Sequence, residues 1–393
     1  MTALALLVLA PQSLSGCLVE AVPPPAVEAV QSAVSTIGAS DRFIAVGNVN
    51  SSNSDPQPGV CILYERGALD TEVSFSEVLT PPNNDEFTRF GFATATVDDL
   101  LVVCAPGPST TVPMPPIRAA ALVYRHDGTA WQLESTLESP RSQDGDRYAT
   151  SVAVAKVDGV ERIAIGAYGQ VPEIPGVTSE EGAVFVFENA GSGWSLIDEV
   201  NPSRSDAPFH VGRRIVFDGR TLIASDQNSS GRGSDAYVFR YDETFGFWRQ
   251  EAILPDTVGY DVDEDSLWIA AYDRFADRTD VLEAARDPDL GAWTASTTPL
   301  FSVETRALDL AADAGNLLLG FAPPPRFVLH AQDVSGAWAP VWRAQALETE
   351  SSPFIQANMF GPLNFSRGQL VVAVSFSLFA PYAPVYVVDP TCQ

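Results

Sequence analysis

Apolar residues along this chain fall into short runs that end at Gly, Pro, Asn or Asp, without the three-to-four spacing of a long amphipathic helix. The stretch FGFATATVDDLLVVCAPG, Phe90 to Gly107, shows the pattern. Small and β-branched residues lead into an acidic pair, and a continuous apolar run then closes on Ala-Pro-Gly. Runs of this length match single β-strands. The pattern returns from Tyr148, Val211, Val258, Arg306 and Phe360, and in degraded form from Val34, which makes seven copies.

Each copy continues into a further apolar run after a loop bearing Gly or Pro: GVCILYE, AALVYRH, GAVFVFE, DAYVFRY, TDVLEAA, FVLHAQD and APVYVVD. In five copies a Trp then leads another run, at Trp131, Trp194, Trp248, Trp293 and Trp338. Successive Trp residues lie 63, 54, 45 and 45 residues apart, room for several strands each. The first two runs of a copy are joined by tight turns such as Asp158-Gly159 and Asp218-Gly219. Asp-Gly between apolar runs marks a hairpin, because Gly accepts the positive φ of a type I′ turn. Four antiparallel strands per unit, repeated seven times, predict an all-β chain: a seven-bladed β-propeller of four-stranded antiparallel blades. The first runs are rich in Ala, Thr, Ser and Val, which suits the crowded inner strands of such a ring.

Phe90-Gly91 with Ala105-Pro106, and Phe360-Gly361, resemble the FG-GAP repeat of integrin α-chain propellers, and most of all its bacterial variety, in which a Trp-led strand precedes each Phe-Gly. The resemblance spans about residues 34–389. It implies a propeller that serves extracellular recognition. Many FG-GAP repeats also hold calcium in an acidic loop between the first two strands. Here that loop has collapsed to a turn. Asp261, Asp263 and Asp265 alternate but leave no loop to supply the six to eight oxygens calcium needs, so no cofactor and no metal is expected.

Composition then narrows the partners. Fifty acidic residues against 23 basic ones give a net charge of −27, which repels phosphate backbones and anionic lipid, so nucleic acid is not expected as a partner. Near the N-terminus the apolar run ALALLVLA, too short to span a bilayer, leads into Leu14-Ser15-Gly16-Cys17. This resembles the lipobox of bacterial lipoproteins, although no Lys or Arg precedes the run. The implied organisation is a signal peptide over 1–16, a lipidated Cys17 with a Pro-rich tether over 17–33, and the propeller over 34–393. The seventh copy has no Trp-led strand, and part of the segment from Leu18 to Val30 is expected to supply the missing strand and close the ring.

No catalytic motif is visible in the linear order. Cys104 occupies a column of small residues with Gly47, Gly166, Ser225, Ala270, Gly320 and Ala373, and reads as a small buried hydrophobe; Cys61 and Cys392 carry no ligand spacing. His126 is expected in a turn after the third strand, His210 at the start of a first strand and His330 in a third strand, none beside a Ser, Cys or carboxylate that would suggest a triad. The regular Trp positions read as packing between blades. Long loops gather on one face, where Met114, Ile174, Phe354, Phe379 and Tyr382 are the candidate contact residues. The expected function is a monomeric, non-enzymatic binding or adhesion module at the bacterial cell envelope, by resemblance at the outer membrane, with an unknown protein or glycan as partner and membrane contact through the anchor alone. The alternatives are a propeller enzyme acting on glycans, as lyase or hydrolase, and a purely structural envelope protein. If Cys17 carries lipid, Cys17→Ser moves the protein from the membrane fraction to the soluble extract; unchanged fractionation of that variant excludes the anchor.

Overall fold

In a computed structural model, the structure describes residues 18–21, 32–50, 59–67, 72–82, 89–106, 119–141, 146–170, 182–202, 210–225, 234–263, 266–287, 291–313, 316–321, 326–345, 364–366, 369–373 and 385–388. Every regular element among them is a strand. In chain order, β1 is Leu18–Ala21, and β2 (Ser32–Ala39), β3 (Phe43–Asn50), β4 (Val60–Arg66) and β5 (Val73–Leu79) form one sheet. A second sheet holds β6 (Thr94–Val97), β7 (Leu100–Ala105), β8 (Ala120–His126) and β9 (Trp131–Glu138), and a third holds β10 (Tyr148–Val157), β11 (Val160–Ala167), β12 (Ala183–Asn189) and β13 (Trp194–Val200). Then come β14 (Arg214–Phe217), β15 (Thr221–Ser225), β16 (Ser234–Asp242), β17 (Phe247–Asp263), β18 (Ser266–Asp273), β19 (Arg278–Asp287), β20 (Ala292–Ala295) and β21 (Phe301–Val303), all in one eight-stranded sheet. The next sheet is β22 (Ala307–Asp313), β23 (Asn316–Phe321), β24 (Arg326–Gln332) and β25 (Trp338–Gln345); β26 (Asn364–Ser366), β27 (Gln369–Ala373) and β28 (Val385–Val388) belong to the last. All strand pairings are antiparallel between sequence neighbours, except that β21 pairs with β19 and β1 with β28.

The first strands of successive sheets touch one another in a cycle: β2 meets β6, β6 meets β10, β10 meets β14, β14 meets β17, β17 meets β22, β22 meets β26, and β26 meets β2. The fold is therefore β-propeller-like, with these strands innermost. The fourth strand of the last sheet is β1, from the other end of the chain, with Leu18 opposite Val388 and Ala21 opposite Val385. The eight-stranded sheet departs from the expectation of separate four-stranded units. Strand β17 runs 17 residues, kinked at the left-handed Asp256, pairing with β16 through its first part and with β18 through its second.

Two packing rules recur. The small residues on the second strands lie where the next inner strand passes closely. A Cβ on Gly47 would stand 2.0 Å from the Gly91 carbonyl oxygen, and one on Gly166 would stand 1.9 Å from that of Gly212. Cys104 occupies the same column, fully buried, and burial pushes its thiol above the usual range. Second, the Trp residues are wedges between sheets. Trp131 packs edge-on against Phe43 of the preceding sheet, ring centres 4.8 Å apart, and its backbone N–H donates to Glu77 there at 3.2 Å. Trp248 repeats the arrangement, its N–H donating to Asp198 at 2.8 Å. His126 is the last residue of β8, not a turn residue, because Phe43 and Trp131 enclose its ring. The Asp158-Gly159 turn has φ of 53° and 81°, the type I′ signature.

Among the alternating acidic residues, Asp261 on β17 accepts the N–H groups of Val262 at 2.9 Å and of Ala312, on β22, at 2.7 Å; Asp265 lies outside the described residues. Burial raises the Asp261 pKa to about 7, opposed by those two bonds and by Arg214. A carboxyl that holds its proton more tightly folded than unfolded stabilises the fold at low pH and loses that contribution as pH climbs through the folded value. The melting temperature is expected to fall on this account from about pH 4, the ordinary carboxyl value, to about pH 7, the folded value, and to level off above it; Asp261→Asn is expected to flatten that fall, and an unchanged slope in the variant refutes the assignment.

Candidate functional site

Strands alternate in direction, so the tight turns after the first strands lie on one face. The starts of the first strands and the ends of the second lie on the other. Three consecutive sheets begin their first strand with the same local motif: Arg89-Phe90-Gly91, Arg147-Tyr148-Ala149 and His210-Val211-Gly212. The leading residue is left-handed each time, with φ of 61°, 56° and 44° for Arg89, Arg147 and His210. The middle residue is fully buried. The third is left-handed again, at 85° for Gly91, 62° for Ala149 and 95° for Gly212. Non-glycine residues adopt this region at a cost and keep it only where the surroundings enforce it; such positions concentrate at functional sites. The buried middle residue is the anchor, and it sets a basic side chain on the same face in all three sheets.

Tyr168, just past the end of β11, is the meeting point. The Arg147 guanidinium lies over its ring at 5.9 Å and that of Arg213 at 5.3 Å. The His210 imidazole meets the same ring edge-on, centres 6.0 Å apart. Arg89 stacks over Phe92 at 4.3 Å. Burial holds the Arg89 guanidinium below its usual pKa, and it feels both the Tyr168 hydroxyl and the Arg147 charge. Cation–π contacts of this kind hold the guanidinium groups against the aromatic ring. One tyrosine, one histidine and three arginines thus converge in a chain whose net charge is −27.

Backbone hydrogen bonds fix the frame. Asp146 accepts the Tyr148 N–H at 3.0 Å and the Ser139 hydroxyl at 2.8 Å. Its carbonyl accepts the Gly169 N–H at 3.0 Å, which ties the residue after Tyr168 to the residue before Arg147. Gly182 donates to the fully buried Gln170 at 2.9 Å and bridges to Val211, linking the same loop to the residue after His210. A side chain on Gly182, whose φ is 78°, would collide with the Val211 backbone at 2.2 Å.

Of the residues expected from the sequence to contact a partner, Met114, Ile174, Phe354, Phe379 and Tyr382 all lie outside the described residues, as do Cys17 and Cys392. The structure places His210 four residues before β14, beside the Val211 bridge and not in the strand itself; what linear reading missed is Tyr168, 42 positions earlier, and the arginines around it. The available signal was the register: aligning the repeats on the buried anchors puts Arg89, Arg147 and His210 in one slot. Among the described residues, no group of three His, Cys, Asp or Glu could hold a metal ion. Ala149→Gly removes the left-handed strain of an alanine where its two counterparts are glycine, and is expected to raise stability by up to about 1 kcal/mol, read from the melting temperature. A marked loss of stability would show that the Ala149 methyl is needed for packing.

At the level of sequence, no family model matches the chain and no curated protein is similar to it. Solved structures do share its shape. A polysaccharide lyase is 10% identical, with a TM-score of 0.53 over 91% of this chain and 90% of that one. A protein from Lactobacillus plantarum is 14% identical, with a TM-score of 0.50 over 80% of this chain and 85% of that one. The periplasmic gluconolactonase of Pseudomonas aeruginosa is 15% identical, with a TM-score of 0.46 over 79% and 85%. At such identities the likeness to the first two supports the β-propeller-like fold and nothing finer.

Proposed function

We propose that this chain is an exported, seven-bladed β-propeller, β17 serving two blades, that cleaves an acidic polysaccharide by β-elimination at the Tyr168 cluster. The observation that carries the reading is the placement of two arginines and a histidine around one tyrosine. Elimination from a uronate needs a cation on the carboxylate, a base for the proton on the carbon beside it, and an acid for the departing oxygen. Arg147 and Arg213 supply the charge, which acidifies that C–H. Tyr168 and His210 supply the proton-transfer pair. The C5 proton leaves, a C4=C5 double bond forms, the C4–O bond breaks, and the leaving oxygen is protonated; no oxidant, metal or water enters the balance. A lyase with the same fold supports the chemistry, and the lipobox-like Cys17 supports placement at the envelope, where such polymers are met. The FG-GAP-like repeat pattern fits this fold without specifying a reaction.

The test is incubation of the purified protein with polygalacturonate, alginate and a sulfated polyuronate, reading the ultraviolet absorbance of the unsaturated product. Tyr168→Phe and His210→Asn are each expected to reduce turnover by about 10²–10⁴-fold, with unchanged melting temperature. Retention of the polymer without product would establish the adhesion reading instead. Product with undiminished rates in both variants would place the chemistry elsewhere.

A further inference from the structure

The register that defines the Tyr168 cluster repeats once more around the ring. Tyr168 follows Ala167, the β11 residue opposite Tyr148. Tyr272 follows Ala271, the β18 residue opposite Thr257, so the two tyrosines are equivalent. Likewise Ala307 lies opposite Phe321 as Tyr148 lies opposite Ala167, which puts Arg306 in the slot of Arg147 and His210. The contact repeats as well. Tyr168 meets His210 from the following sheet, and Tyr272 lies under the Arg306 guanidinium from the following inner strand, 5.4 Å from its ring centre.

The second copy lacks the chemistry of the first. There is no histidine, and the slot before Thr257 holds Asp256, left-handed at φ 52°. The Tyr272 hydroxyl is committed to Asp277 at 2.7 Å, which locks the ring as a platform. Recognition features are gathered instead. The buried Nε of Arg306 has no hydrogen-bond partner among the described residues. The turn from β18 to β19 carries Arg274 stacked over Phe275 at 4.8 Å, with Phe275 88% exposed. This turn joins a second strand to a third, so it projects from the same face as the Tyr168 cluster. An exposed ring, Phe275, and a half-buried one, Tyr272, set beside arginines suit pyranose rings that bear acid groups: the ring stacks and the guanidinium binds the anion.

We propose that Tyr272, Arg274, Phe275 and Arg306 form a second, non-catalytic subsite for an anionic polysaccharide, which holds the polymer away from the point of cleavage. The ligand class rests on the reading of the Tyr168 cluster, whereas the subsite is testable without turnover. The test compares wild type with Tyr272→Ala/Phe275→Ala/Arg306→Ala by affinity electrophoresis through gels containing polygalacturonate or a sulfated polyuronate. The triple variant is expected to bind about 10-fold more weakly. In the activity assay its KM for the long polymer should rise by a similar factor (~10-fold), with kcat, and the KM for a short oligosaccharide, unchanged. If the triple variant melts lower than wild type, the exposed pair Arg274→Ala/Phe275→Ala replaces it. Weakened retardation without any product would uphold the subsite and reject the lyase. Equal retardation of variant and wild type, or no retardation of wild type by either polymer, overturns the subsite whatever the outcome of the lyase assay.

Discussion

The close passage of each inner strand over the second strand of the sheet before it is the constraint on which the architecture depends. At Gly47 and Gly166 the neighbouring carbonyl oxygen stands where a methyl group would be. Van der Waals radii leave no room for a larger side chain, so the backbones pack directly and the sheets are held at a short spacing near the axis. Toward the rim the spacing widens. There the Trp residues fill the gap, each on its own fourth strand and packed on the sheet before it. Small residues inside and indoles outside make each sheet a wedge, and wedges placed side by side produce a ring.

The same constraint shapes the candidate site. An inner strand that must slide under its neighbour begins with a buried anchor, Phe90, Tyr148 or Val211, and the chain turns sharply on either side of it through two left-handed residues. The residue before the anchor has nowhere to go but the face. A structural requirement of the ring therefore places Arg89, Arg147 and His210 in equivalent positions, and chemistry enters through which side chains occupy them. On the proposed reading, His and Arg around Tyr168 make proton transfer available, whereas Asp256 and Arg306 around a tyrosine tied to Asp277 leave only binding.

The acidic surface sharpens this contrast. On the opposite face basic groups are consumed by ion pairs between neighbouring sheets. Arg125 grips Glu161 through two bonds of 2.7 Å, and Lys156 meets Asp98 at 2.8 Å. The exposed Lys156–Asp98 pair adds little stability by itself, and the arginines stacked on Tyr168 and Tyr272 lie on the other face. On the proposed reading, an anionic polymer would be repelled by most of a chain of charge −27 and held where these arginines meet the two tyrosines.

Sequence alone determined the strands, their antiparallel hairpins and their recurrence, because these depend on local quantities: run length, turn chemistry at Asp158-Gly159 and its counterparts, and the period of the Trp residues. It also determined the column of small residues at Gly47, Cys104 and Gly166, since packing distance leaves its mark on residue size at a fixed offset. It could not show that β17 continues from one four-stranded array into the next, because Pro255-Asp256 and Gly259 inside that segment read as a turn between two strands, and only the pairing with β16 and β18 carries the strand across them. Nor could it move His126 out of a turn, since the ring that encloses it, Phe43, is 83 positions away and comes from another sheet. The site itself belongs to tertiary structure. Tyr168, Arg147 and His210 share no local motif, and they meet because adjacent sheets pack with their strand ends on one face. That arrangement is a property of the ring, and no window of the chain contains it.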